Sequence, residues 1–131
     1  MTNFSVSYVT IMDDDIWTLS NFYERLFDLK EISLRSEIYR GLDMNGVVLS
    51  FSAPPFYDEM GLSRPTTPKS THEFVTFTTP QQGSVEEYTN RALKLGGSLV
   101  KGPYTTYYGA WLSVLRDPSG NLFRICHSEL H

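Results

Sequence analysis

The sequence predicts an α+β protein made of two tandem β-α-β-β-β modules, and three observations carry that prediction. Tyr8-Val9-Thr10-Ile11, followed by an amphipathic stretch ending near Leu26-Phe27-Asp28, recurs as Phe74-Val75-Thr76-Phe77, followed by a stretch ending at Leu95-Gly96-Gly97. Each half then closes on a similar strand, Gly46-Val47-Val48-Leu49-Ser50-Phe51 matching Gly120-Asn121-Leu122-Phe123-Arg124-Ile125. The repeat, at about 55 to 60 residues, is too long for a solenoid unit and too short for a comfortable domain alone. Two such units are expected to share one structure, with the site where they meet.

Residues 4 to 12 read as the first strand, with Val6, Tyr8 and Thr10 on one face and Val9 and Ile11 on the other. Asp13-Asp14-Asp15 then precedes Ile16, Leu19, Phe22-Tyr23 and Leu26, an apolar spacing of helical period. One aspartate capping the helix, with its neighbours at the positive helix end, accounts for the acidic run without a metal. Two or three strands follow between residues 30 and 53, Val47 to Ser52 being the clearest. Residues 53 to 71 hold four of the seven prolines and read as a linker, with Phe56, Tyr57 and Met60 free to pack over something. Module one is thus 1–53, the linker 54–71 and module two 72–131, within one domain.

The second module opens with a strand over 72–79. Ser84-Val85-Glu86-Glu87 has the spacing of a reciprocal capping box at a helix start. Val85, Tyr88, Ala92 and Leu95 supply the apolar stripe, and Gly96-Gly97 ends the helix. Strands near 98–102, 110–116 and 121–127 complete the unit, the last two joined by the turn Asp117-Pro118-Ser119-Gly120.

The chain has 131 residues, 40% of them hydrophobic, with 8 Phe, 8 Tyr and 2 Trp, enough to fill one core and still line a pocket. A net charge of −4 argues against a nucleic-acid partner, which would demand a basic face. No apolar run approaches the roughly 20 residues needed to span a bilayer, and the N-terminus lacks the order of a signal peptide. A cytoplasmic protein with no membrane partner is expected. Cys126, the single cysteine, excludes an internal disulfide and a cysteine-rich zinc site, and reads as a small buried apolar residue.

Asn21-Phe22-Tyr23 with Leu26, Leu95-Gly96-Gly97, and Asp117-Pro118-Ser119-Gly120-Asn121 before the last strand together resemble the vicinal oxygen chelate superfamily. That group includes glyoxalase I, bleomycin-resistance proteins, fosfomycin-resistance enzymes and extradiol dioxygenases. The resemblance covers nearly the whole chain, and its most specific piece is the Asp-Pro-x-Gly-Asn turn. It implies paired modules forming a curved, cup-shaped mixed sheet, and a homodimer, with the modules pairing either within the chain or across the dimer. Metal-using members present His or Glu at one place in the first and one in the last strand of each module. Those places fall here on Tyr8, Ser50, Phe74 and Arg124, none of them a usual divalent-metal ligand. No metal and no other cofactor is therefore expected. His72 alone could enter by a two-residue shift, and one histidine does not make a site; His127 and His131 read as solvated residues near the chain end.

Strand alternation gives an independent view. Val9, Ile11, Leu49, Phe51, Val75, Phe77, Phe123 and Ile125 share one apolar face, as expected against helices. Tyr8, Thr10, Val48, Ser50, Ser52, Phe74, Thr76, Thr78, Leu122, Arg124 and Cys126 share the other, a mixture suited to a small-molecule pocket. An inward Arg124 needs a carboxylate partner, from the protein or from a ligand. Tyr104-Thr105-Thr106-Tyr107-Tyr108 and Gly109-Ala110-Trp111 could add stacking surfaces, with Tyr39 at the equivalent place in the first half. The leading expectation is metal-independent binding of a small anionic or aromatic molecule by Tyr8, Tyr39, Ser50, Phe74, Trp111 and Arg124. The alternatives are a lyase or isomerase using Tyr8, Tyr39 or His72 as acid or base, with no metal or an atypically held one, and a subunit whose sheet packs on a partner.

Overall fold

The computed structural model describes residues 2–67 and 71–128. The chain divides into two compact units, Met1–Thr67 and Pro68–His131. Each repeats the order strand, helix, three strands, and each has its own mixed four-stranded sheet. His131 and the linker residues 68–70 lie outside the described residues. Among the described residues, no helix is long and apolar enough to cross a membrane.

The first unit consists of β1 (Tyr8–Met12), α1 (Ile16–Phe27), β2 (Lys30–Ser36), β3 (Tyr39–Met44) and β4 (Val47–Ser52), in sheet order β1-β4-β3-β2. The first and last strands run parallel, with Thr10 opposite Ser50, and the remaining pairs are antiparallel. β1 is shorter than the pattern of residues 4–12 predicts. Tyr8 pairs with Val48 and β4 begins at Val47, so residues 4–6 run past the start of β4 and pair with no strand among the described residues; Phe4 and Val6 are exposed.

Asp15 caps α1, its carboxylate accepting from the Thr18 amide at 3.2 Å and the Thr18 hydroxyl at 2.6 Å. Those bonds, the hydroxyl's first, hold the Asp15 carboxyl below its ordinary range. Asp13 in turn accepts from the Asp15 amide at 2.9 Å, so two of the three acids in the run have local roles in starting the helix. Ile16, Leu19, Phe22, Tyr23 and Leu26 form the buried stripe, and Tyr23 stacks on Phe51 of β4 at 5.8 Å between ring centres. Burying each of the larger aliphatic or phenyl side chains contributes about 1.5–3 kcal/mol.

Arg40 of β3 points to the same side as Phe51 and lies under α1. Its Nε donates to Glu31 at 3.0 Å, Nη1 to Ser20 and Asn21 at 3.0 and 2.9 Å, and Nη2 to Glu24 at 2.7 Å. The guanidinium also sits 5.2 Å from the Trp17 ring centre. Four of the five N–H donors of this buried cation are bonded, two to carboxylates and two to neutral acceptors, and together they tie helix to sheet.

Residues Pro55–Glu59, predicted as part of an irregular linker, form the short helix α2. Proline at its first position suits a helix start, and Phe56 packs its ring 6.1 Å from that of Tyr39.

The second unit consists of β5 (Val75–Thr78), α3 (Gly83–Lys94), β6 (Ser98–Thr105), β7 (Trp111–Arg116) and β8 (Leu122–His127), in sheet order β5-β8-β7-β6. β5 runs parallel to β8, with Thr76 opposite Arg124. The expected capping box at Ser84 does not form. Gln82 is the N-cap and makes no side-chain cap bond. The Ser84 and Val85 amides instead donate to the carbonyls of Gln81 and Gln82, so the chain is already turning one residue before Ser84 could act as a cap. The other end follows expectation. Gly96 has φ 108°, and the Gly97 amide donates to the Ala92 carbonyl at 2.9 Å, the two-glycine close of a Schellman motif.

The Asp117 turn is as specific in structure as in sequence. Its buried carboxylate accepts from the amides of Ser119 and Asn121 and from the Asn121 side chain, and Gly120 closes the turn at φ 88°. This sets where β8 begins, and so which residues of β8 face away from the helix.

Replacing Arg40 with alanine should lower unfolding free energy by about 3 kcal/mol, because the half-buried Glu24 and Glu31 lose a buried partner. Urea denaturation monitored by circular dichroism measures this, and a loss below about 0.5 kcal/mol, the scale of an ordinary surface change, would contradict it.

Candidate functional site

In the first unit the sheet face turned away from α1 is lined by hydroxyls. Ser50 lies between Thr10 on β1 and Gly41 on β3 in the register, and Ser52 lies opposite Tyr39. The Thr10 and Ser50 hydroxyls are 2.6 Å apart, and the Tyr39 phenol hydrogen-bonds Ser50 as well. Gly41 makes room for that phenol: a Cβ there would lie 3.0 Å from the Tyr39 oxygen and 2.6 Å from Ile32 Cδ1. Burial pushes the Tyr39 phenol above its ordinary range, against the opposing effect of Ser50. It therefore stays a neutral donor at any physiological pH. Ser52 is buried, and its Oγ has no partner among the described residues. Tyr8 stands at the start of β1, 60% exposed.

In the second unit the corresponding face carries charge. Arg124 occupies the place on β8 that Ser50 occupies on β4, because Thr76 pairs with Arg124 as Thr10 pairs with Ser50. Its Nε donates to Thr76 Oγ1 and its Nη1 to the Tyr108 phenol, both at 3.0 Å, and its carbon lies 5.0 Å from the Phe74 ring centre. All three partners are neutral. Beside it, Cys126, Leu112 and Ala110 are buried together, with Tyr104 and Val114 packed on them. Burial pushes the Cys126 thiol up, which agrees with its reading as a small apolar residue. The turn after β6 presents Tyr108: Thr106 bonds Ala110 through both backbone and side chain, and Gly109 takes φ 87°.

Of the predicted site residues, Tyr39 and Ser50 come into contact on the first sheet, with Tyr8 at the strand start, and Phe74 and Arg124 come together on the second. Trp111 does not join them. It alternates with Leu112, so it shares the helix side with Ser113 and Leu115, and its indole donates to Glu86 of α3 at 3.2 Å. The residue equivalent to Tyr39 is Leu112, since each lies opposite the equivalent position on the closing strand, Ser52 or Cys126. One residue of register separates the two faces. His72 is exposed, and His127 Nδ1 lies 3.0 Å from the Thr79 carbonyl oxygen.

Lys101 escaped sequence reasoning. Plain alternation from Ser98 would put it on the helix side, but β6 carries an extra residue between Leu99 and Lys101 and a second irregularity before Tyr104. Lys101 thus lies opposite Val114, on the Arg124 side, with its ammonium 4.1 Å from the Tyr104 ring centre. Gly102 and Pro103 in mid-strand were the available signal of a bulge.

Positions that would hold a metal in related proteins do not fit one here. The first unit offers a phenol and a hydroxyl already bonded to Thr10, the second a phenyl ring and a guanidinium whose charge opposes a cation. Among the described residues, no group of three His, Cys, Asp or Glu side chains could hold a metal ion.

The model of the Glyoxalase/Bleomycin resistance protein/Dioxygenase superfamily matches residues 5–125. The chain belongs to this superfamily. A superfamily enzyme from Burkholderia phytofirmans PsJN is 36% identical, with 92% of this chain and 96% of that one covered at a TM-score of 0.87. A glyoxalase-related enzyme from Fulvimarina pelagi, 20% identical, superposes over 95% of this chain and 88% of its own with a TM-score of 0.83. A lactoylglutathione lyase from Agrobacterium tumefaciens, 17% identical, does so over 96% and 95% with a TM-score of 0.74. The last two likenesses speak for the superfamily fold alone. A search of curated proteins finds no match to the chain.

A spectrophotometric titration comparing wild type with Tyr39→Phe should assign to Tyr39 a phenol that ionises above the ordinary value of about 10, since burial disfavours the phenolate. An ordinary or lower value would mean that the hydroxyl cluster is open to water.

Proposed function

We propose that this protein binds a small anionic molecule with an aromatic or apolar frame on the sheet face around Arg124, without a metal, in the manner of a glyoxalase/bleomycin-resistance-like binding protein. The observation that carries the reading is the company Arg124 keeps. Its hydrogen bonds go to two hydroxyls, it lies over a phenyl ring, and among the described residues no carboxylate forms an ion pair with it. Hydroxyls orient a guanidinium without neutralising it, so its planar fork is held in place for an external carboxylate or similar acid. Phe74 and Val114 supply apolar surface beside that charge, the combination a small-molecule site needs. The hydroxyl-lined face of the first unit is a neutral counterpart, suited to hydrogen-bonding rather than to charge.

Benzoate is a suitable probe, titrated calorimetrically into wild type and Arg124→Gln. A charge-assisted hydrogen bond contributes about 1.5–3 kcal/mol, so the variant should bind about ten- to a hundredfold more weakly. Equal affinity would remove Arg124 as the anchor.

We further propose a homodimer. Both sheets are open, and the edge strand β6 leaves Leu99 and Val100 44% and 53% exposed, an edge that association would protect. Size-exclusion chromatography with light scattering should give the mass of two chains; 15.0 kDa, the mass of one, would refute it.

A further inference from the structure

The four strands of the second sheet carry Lys101, Arg116, Arg124 and His127 and no aspartate or glutamate. Acidic residues outnumber basic ones in the chain as a whole, 15 to 11, so this distribution is not a by-product of composition. The first sheet, built on the same plan, behaves differently: Arg35 and Arg40 both pair with Glu31, and Arg40 with Glu24 too.

Register places three of the second sheet's cations on one face. Arg124 and Lys101 flank Val114 in a single row across β8, β7 and β6. Arg116 lies opposite Leu122 on β8 and Ser98 on β6, one step along from that row and diagonal to both cations. Strand spacing puts the Arg124 and Lys101 backbones about 9–10 Å apart, with Arg116 about 7–8 Å from each. The partners are neutral throughout: hydroxyls and a ring for Arg124, the Gly120 carbonyl and the Thr71 hydroxyl for Arg116, and the Tyr104 ring for Lys101. Three like charges at this spacing repel one another, and the fold supplies no opposite charge among the described residues of the sheet to offset them. Between them lies apolar surface, Val114 flanked by Tyr104.

From this arrangement we infer that the ligand carries two acidic groups on a flat apolar frame, one held by Arg124 and the other by Lys101, with Arg116 raising the positive potential between them. The inference rests on the binding reading above and narrows it from an anion to a dianion. The cation–π contacts of Lys101 and Arg124 set both heads at the edges of an apolar floor, and a frame long enough to span Val114 lets each acid meet one head.

The test compares benzoate with benzene-1,4-dicarboxylate by calorimetry at low salt, in wild type, Lys101→Gln and Arg124→Gln. In wild type the dicarboxylate should bind at least about tenfold more tightly than benzoate. Lys101→Gln, an exposed substitution whose folding is checked by its melting temperature, should abolish that advantage, weakening the dicarboxylate far more than benzoate. Arg124→Gln should weaken both. Benzoate binding that depends on Arg124, with no preference for the dicarboxylate, would overturn the dianion inference and leave the binding reading standing. A preference that survives in Lys101→Gln would overturn Lys101 as the second anchor. Failure of both probes to bind wild type would overturn both readings.

Discussion

Everything on the candidate faces depends on the parallel pairing of the first and last strands of each unit. β1 against β4, and β5 against β8, bring residues some forty to fifty positions apart into direct register: Thr10 beside Ser50, Thr76 beside Arg124. Because side chains alternate across a strand, one such pairing decides the facing of every other residue in the two strands, and the third strand inherits it through antiparallel pairing. The turn at Asp117 and the left-handed glycine at Gly120 matter for this reason, since they set where β8 starts. A slip of one residue there would send Arg124 into the helix-facing core and Phe123 out of it.

Within that shared frame the two units have taken opposite electrostatic courses. Arg40 and Arg124 are both arginines on the third or fourth strand of a module, yet Arg40 turns toward the helix and meets two carboxylates, while Arg124 turns away and meets hydroxyls and a ring. The first is a tie between helix and sheet whose charge is balanced inside the protein. The second is held in position with its charge unbalanced by any described neighbour. The same residue type thus contributes to architecture in one half and to a candidate site in the other, and the difference is a matter of strand face. Tyr39 shows the same economy: its phenol reaches Ser50 only because Gly41 has no side chain to obstruct it.

The bulges in β6 show how a local irregularity can alter function-bearing geometry. An extra residue between Leu99 and Lys101 returns Lys101 to the side of Val114, and a second irregularity before Tyr104 places that ring under the lysine head. Gly102, at φ 103° and with no space for a Cβ beside the Leu112 carbonyl, marks the place where the strand departs from regular pleating. Without those bulges the second sheet would keep Arg124 but lose its companion across Val114.

The duplicated strand-helix-strand pattern, an aspartate cap within Asp13-Asp14-Asp15, the Gly96-Gly97 close and the Asp117 turn were legible in the sequence, because each element is decided by residues within a few positions of one another. So was the division of the β4 and β8 residues between two faces, since period-two alternation holds wherever a strand is regular. Ser84 looked like a cap because its spacing to Glu87 was right, but the chain had already entered the helix at Gln82. Trp111 looked like a lining residue because it neighbours the tyrosine cluster, and pairing opposite His127 turned it toward α3 instead. Lys101 needed bulges that alternation cannot anticipate. The sequence by itself determined the elements, their order and the chemical types available, since those follow from local propensity and periodicity. Only the tertiary structure decided which charges meet counter-charges and which stand unpaired on a sheet face, because that depends on register between strands far apart in the chain.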